Sequence, residues 1–323
     1  MNSANMVLIP NTIPQILKSG LIKGLSGALW VYKILIPISA FTLLLDVFHL
    51  LERLEGLVGP AMGVIHLPAK AAMPLIAGML TGIYGGIAAL AALSFTVKET
   101  TLVALFLLIS HNLIQESAIQ GRSGMHPLKA VSLRLASSVA VVWLIGHFWQ
   151  GGVEPAPYAA VTTANSAFVP ALLVWIRKTL ILCLQILIIL IAVMTAIAWM
   201  KARRWDVRLA AGLKPVLRVM GLGEQSGLLW LAALMFGVTY GAAVIVEEYR
   251  QGALSSAELE RLHLSIGINH AIIEDPLLFV PLGVPAVWLW VPRIVAAFLA
   301  VHLLILFRRL KTQKDKNPVQ PPA

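Results

Sequence analysis

The chain contains one cysteine, Cys183, among 323 residues, which excludes a disulfide framework and a thiolate metal cluster. Charge is scarce as well. Only 12% of the residues are Asp, Glu, Lys or Arg, roughly half the share of a soluble domain, while 59% are hydrophobic. Enzyme signatures are missing: there is no G-x-x-x-x-G-K-[ST], no H-E-x-x-H and no G-x-S-x-G. An enzyme, and a self-contained nucleotide-driven pump, are therefore not expected. The net charge of +10 does not point to nucleic acid, because the Lys and Arg residues flank apolar runs or lie in the tail.

Apolar runs such as 176–199 and 287–307 are long enough to cross a hydrocarbon core of about 30 Å. They predict an all-α polytopic membrane protein in contact with the lipid bilayer. Landmarks recur in order along the chain. Trp30-Val31-Tyr32-Lys33 matches Trp175-Ile176-Arg177-Lys178, Pro60 matches Pro215, and Ile83-Tyr84-Gly85-Gly86 matches Thr239-Tyr240-Gly241-Ala242. Arg134-Leu135-Ala136 then matches Arg293-Ile294-Val295. Transport folds are commonly built from such repeats. The expected organisation is an N-terminal interfacial segment 1–24, a membrane repeat 25–150, an external linker 151–170, a second membrane repeat 171–310 and a disordered cytoplasmic tail 311–323.

Four basic clusters, around Lys18, Arg122, Arg203 and Arg308, lie on the cytoplasmic side by the positive-inside rule, as do both termini. The two repeats are then inverted, so each crosses an odd number of times. Each nevertheless has four apolar segments. The segments 71–97 and 226–247, broken near Gly82 and Gly237, are expected to be re-entrant hairpins; the alternative is close helix packing at glycine. The predicted architecture is an inverted-repeat helical bundle of about six spans and two re-entrant hairpins.

A polar motif occurs twice in this apolar background. It reads His111-Asn112-Leu113-Ile114-Gln115-Glu116-Ser117 and Asn269-His270-Ala271-Ile272-Ile273-Glu274-Asp275. Ionisable groups at membrane depth cost roughly 2.5–3.5 kcal/mol each on insertion scales and usually serve function. On continuous helices Asn112 and Glu116, and likewise His270 and Glu274, would share a face. Three readings stay open. Glu116, Glu274, Asn112, His270, His111, Asn269 and Gln115 hold a polar solute, with a coupling proton or cation on a carboxylate and no other cofactor. Alternatively His111, Glu116, His270 and Glu274 bind a divalent transition metal as a permease. In the third reading the motifs only glue the halves of a scaffold or assembly factor. A homo-oligomer is compatible with all three readings. Arg134 and Arg293 rank lower, as partners of a glutamate or as interfacial residues. Tyr84 and Tyr240 rank lower still, as packing residues.

The two motifs, from Ser110 to Ser117 and from Gly267 to Asp275, resemble those of bacterial inner-membrane proteins carrying the nucleoside-recognition (Gate) domain. The resemblance covers most of residues 28–307. It implies kinship with the membrane portions of concentrative nucleoside transporters and ferrous-iron transporters. It also implies inverted repeats with hairpins, a transport-like core and a place in the bacterial inner membrane.

Overall fold

The computed structural model describes residues 12–50, 53, 55–157, 168–250 and 254–316. Half of the external linker (158–167, Asn165 included) and the tail from 317 onward lie outside the described residues, as does the Tyr240 side chain. Fourteen α-helices are present among the described residues. The first half holds α1 (Ile13–Val47), α2 (Glu55–Val64), α3 (Ala72–Thr81), α4 (Ile83–Ala92), α5 (Val97–Ser110), α6 (Leu113–Arg122) and α7 (Pro127–Phe148). The second holds α8 (Phe168–Ala202), α9 (Trp205–Gly212), α10 (Lys214–Val219), α11 (Gly227–Arg250), α12 (Ser256–Asn269), α13 (Glu274–Leu277) and α14 (Ala286–Lys316).

Five helices among the described residues are apolar and long enough to cross a bilayer: Ile13–Val47, Val97–Arg122, Pro127–Phe148, Phe168–Ala202 and Ala286–Gln313. A further pair, Gly56–Val64 and Ala69–Thr81, bends by 88°. Their outer faces carry exposed leucine, isoleucine and phenylalanine, for example Leu180, Leu184, Ile188, Leu299 and Leu303. Water would not tolerate so continuous an apolar surface, and lipid does. The chain is an all-α polytopic membrane protein.

The sixth expected span is shorter and more polar than expected. The counterpart of the Val97–Arg122 span is α12, which carries Glu258, Glu260, Arg261 and His263 and is buried inside the protein from Leu262 to Asn269. Two other boundaries move. Residues 13–24 belong to α1 and form no separate interfacial helix, and α14 runs on to Lys316, into the segment expected as a tail.

The halves repeat element by element. Equivalent helices α1 and α8 pack antiparallel: Gly20 faces Thr195, Gly24 faces Ile191, and the Tyr32 hydroxyl donates to the Cys183 carbonyl at 2.5 Å. Copies whose first helices oppose one another are inverted. Both inner helices, α5 and α12, start with a side-chain cap, Thr96 accepting from Glu99 N and Ser255 from Glu258 N, each at 3.2 Å. Such caps satisfy backbone donors that the first turn leaves without partners.

Each half also has its break where glycine was expected to make one. Gly82 sits at φ 91°, ψ 178° between α3 and α4, and Gly237 at φ 81°, ψ 174° within α11. This backbone region is essentially reserved for glycine. At Gly82 the chain reverses so tightly that a Cβ on Gly78 would lie 3.3 Å from Gly86 Cα. A Cβ on Gly82 itself would meet only Asn112 atoms at 3.9 Å, so space is not what excludes a side chain there. Gly82→Ala is expected to cost about 1–3 kcal/mol through backbone strain alone. Gly63→Ala, with nothing within 4 Å of the new methyl, should be neutral or slightly stabilising. Reversible unfolding in detergent compares the two, and equal stabilities would refute the strain argument.

Candidate functional site

The motifs lie where α5 and α12 stop. Each helix ends on a histidine with extended backbone, His111 at φ −68°, ψ 160° and His270 at φ −83°, ψ 169°. Each histidine is followed by a left-handed residue, Asn112 at φ 48° and Ala271 at φ 45°. Asparagine adopts this conformation more readily than alanine does. The expected continuous helical face is therefore absent, because the helix is broken between Ser110 and Leu113.

This geometry also corrects the pairing of the motifs. His111 is equivalent to His270, at a spacing of 159 residues. Asn112 then corresponds to Ala271, Gln115 to Glu274, and Glu116 to Asp275. The expected pairing of Glu116 with Glu274 is displaced by one residue. Likewise, Gly82 against Gly237 makes Thr239, not Tyr240, the counterpart of Tyr84.

Hairpins and breaks are bonded to each other. Asn112 N donates to Gly78 O at 2.9 Å, and Ile272 N donates to Leu234 O at 2.8 Å. Behind each break a buried arginine covers the carbonyls that the helix end leaves open. Arg134 donates from Nε to Ile109 O and from Nη2 to His111 O, both at 2.8 Å. Arg293 donates to Ile268 O at 3.3 Å and His270 O at 2.7 Å. Both side chains are at most 2% exposed. The arginines that ranked low in the sequence are integral to the site.

Between the breaks the polar groups converge. His270 Nε2 lies 3.4 Å from His111 Nε2 and 3.2 Å from Glu116 Oε2. His111 Nε2 lies 3.4 Å from Glu116 Oε1 and 3.4 Å from Asp275 Oδ2. Arg134 Nη1 pairs with Glu116 Oε2 at 2.8 Å. Glu274 points elsewhere and accepts a hydrogen bond from the Tyr84 hydroxyl at 2.8 Å.

A cavity of about 630 Å³ opens on this cluster. Its lining includes both hairpin breaks, Gly82 and Gly237, and both helix breaks, with Trp30, Tyr84, Asn112, Gln115, Glu116, His111, His270, Glu274 and Asp275. Six of the seven expected site residues thus meet at one place. Asn269 does not: it is buried, outside the cavity lining. Asp275 and Tyr84 are the residues that the sequence reading undervalued. A signal for Asp275 existed, since histidine and arginine stand 23 residues apart in both halves and fix the register.

A membrane protein built of two opposed repeats, with broken helices around a polar internal cavity, is the class that fold and site define. The chain is 30% identical over 290 residues to the uncharacterized membrane protein YvoD of Bacillus subtilis (strain 168), an alignment covering 88% of this chain and 92% of that protein. It belongs to the family of that membrane protein. No family model matches the chain, and no solved structure matches it.

Proposed function

We propose that the protein is a secondary transporter of a small polar solute, with nucleosides the leading class, acting in the bacterial inner membrane with both termini in the cytoplasm. The observation that carries this reading is the cavity in which two glycine breaks and two helix breaks meet. Its size falls within the roughly 300–1,000 Å³ of small-molecule sites. Irregular backbone at membrane depth is tolerated where it is buried in protein or lines a cavity, and discontinuous helices surround substrates in transporters. The resemblance of the two motifs to the nucleoside-recognition domain supports the choice of solute class. Basic residues flanking the apolar runs support the orientation.

In this reading Glu274, Gln115 and Asn112 bind the solute's hydroxyl and amide groups, while Tyr84 and Trp30 offer ring faces and edges. Trp30 meets Tyr84 edge-on, with centroids 6.0 Å apart. Such an aromatic corner suits a planar base. Glu274→Gln removes a hydrogen bond to a charged group, worth about 1.5–3 kcal/mol, so solute affinity should fall roughly 10–100-fold. A panel of nucleosides and amino acids is screened by thermal shift, since binding to the folded state raises apparent stability. Uptake of the best binder is then measured in proteoliposomes. Transport of nucleosides is refuted if none of them shifts the wild-type melting temperature or accumulates. The role of Glu274 is refuted if its variant transports as well as wild type.

A further inference from the structure

We propose that His111, His270, Asp275 and Glu116 form a binding site for one divalent first-row transition metal, with Zn²⁺ the best geometric match. The inference stands apart from solute transport. It rests on which atoms face one another at the meeting point of the two repeats.

The two imidazoles are fixed in their orientation. His111 Nδ1 lies 2.8 Å from Leu107 O, and His270 Nδ1 lies 2.9 Å from Ile266 O. A carbonyl oxygen only accepts, so each Nδ1 carries the hydrogen and each Nε2 of a neutral ring presents a lone pair. Those two lone pairs face each other across 3.4 Å. Oxygens of Asp275 and Glu116 complete the group. Asp275 Oδ2 has no hydrogen-bond partner. All four side chains are at most 8% exposed, so bulk water does not relieve the arrangement. Buried acceptors gathered in this way repel unless a cation sits among them.

The spacing suits a metal ion. For metal–nitrogen and metal–oxygen bonds of about 2.0–2.1 Å, ligand atoms at tetrahedral angles stand roughly 3.3–3.4 Å apart. The two Nε2 atoms are 3.4 Å apart, and His111 Nε2 lies 3.4 Å from Asp275 Oδ2 and 3.4 Å from Glu116 Oε1. Ligand atoms of His111, His270 and Asp275 all lie within 4.8 Å of one another. A histidine ligand commonly donates its other ring N–H to a backbone carbonyl, the contact that both rings make here. Imidazole with carboxylate suits Zn²⁺, Fe²⁺ and Mn²⁺, while Mg²⁺ and Ca²⁺ prefer oxygen alone. Arg134 occupies Glu116 Oε2, leaving Oε1 toward the imidazoles. Asp275 replaces Glu274 in the ligand set expected from the sequence.

The test uses full-length protein without a polyhistidine tag, stripped with chelator and dialysed against Zn²⁺, Co²⁺, Mn²⁺ or Fe²⁺. One ion per chain is expected, with Co²⁺ giving the intense visible bands of a tetrahedral site. His270→Gln and the near-isosteric Asp275→Asn should each weaken affinity by more than the roughly 10–100-fold that loss of an outer-shell partner costs. Asp275→Asn keeps the test decisive if the histidine variant does not fold. Glu274→Gln should retain the metal while losing solute, which separates this site from the proposed transport site. Absence of stoichiometric metal from the wild type would overturn the proposal and leave a shared proton between the rings. Unchanged binding in both ligand variants would overturn it too, by placing the ion elsewhere.

Discussion

Arg134→Met is expected to destabilise the protein by about 3–5 kcal/mol, the cost of removing one partner from a buried ion pair. The guanidinium makes bonds in three directions: to Ile109 O, to His111 O and to Glu116 Oε2, each at 2.8 Å. Methionine fills similar volume and offers no donor. It therefore leaves two carbonyls at a helix end and one carboxylate without their partner. Lysine should not restore stability, because a single ammonium cannot reproduce the planar fork that reaches all three. Combining Arg134→Met with Glu116→Gln removes the lone buried charge and should recover part of the loss, while the open carbonyls keep the remainder. Arg293→Met should cost less, since Arg293 donates to two carbonyls, one of them at 3.3 Å, and among the described residues no carboxylate pairs with it as Glu116 pairs with Arg134. Equilibrium unfolding in mixed micelles measures all four variants. An Arg134→Met protein within about 1 kcal/mol of wild type would show that the clasp contributes little.

The second large effect is expected at the contact of the two repeats. Gly24→Leu should destabilise the α1–α8 pair by at least the 1–3 kcal/mol typical of overpacking. A Cβ at Gly24 would stand 2.6 Å from Ile191 Cα and 2.8 Å from Ile191 N. Those are backbone atoms, so α8 itself must move. Gly20, one turn earlier, meets Thr195 Cα at 2.6 Å. Small residues four apart allow helices in lipid to approach this closely, where dispersion contacts rather than apolar transfer hold them together. Ile191→Ala should recover only a fraction of the loss, because it removes the side-chain clash at 2.7 Å and leaves the backbone clash in place. Full recovery in a double-mutant cycle, or a neutral Gly24→Leu, would contradict the close approach.

Much of this fold is legible in the order of the residues. Long apolar runs give α1, α7, α8 and α14, and glycine marks both chain breaks. The charge pattern predicts opposed repeats, in agreement with the antiparallel packing of α1 against α8. Periodicity fails where the interior is polar. α12 carries Glu258, Arg261 and His263 yet is buried. Its charges are paired inside, Glu258 accepting from Ser226 at 2.5 Å and meeting Arg261 at 2.6 Å, a cancellation that hydropathy cannot register. Glu260 is similarly held by Lys129 and Arg308, one from each half.

The candidate site shows the same division. Its residue types are visible as a doubled motif, but the register is not, because His111-Asn112 and Asn269-His270 contain the same two residues in opposite order. Sliding one copy by a residue keeps the glutamates matched and misplaces every backbone angle. The left-handed step after each histidine settles the alignment, in agreement with the 23-residue spacing from histidine to arginine in both halves. It brings Asp275 into the cluster and sends Glu274 to Tyr84.

The facing ends of α5 and α12 have a consequence for electroneutrality. Each aligned helix carries about half a negative charge at its C-terminal pole, and here the two like poles abut in a medium that screens poorly. At each hairpin break the ends of two helix segments of opposite polarity meet and largely cancel. Counted as carboxylates, Glu116, Asp275 and Glu274 outnumber the guanidiniums of Arg134 and Arg293 by one, and the N-terminal pole of α6 offsets part of the α5 pole. The junction of the repeats thus gathers a negative character that neither half could create alone.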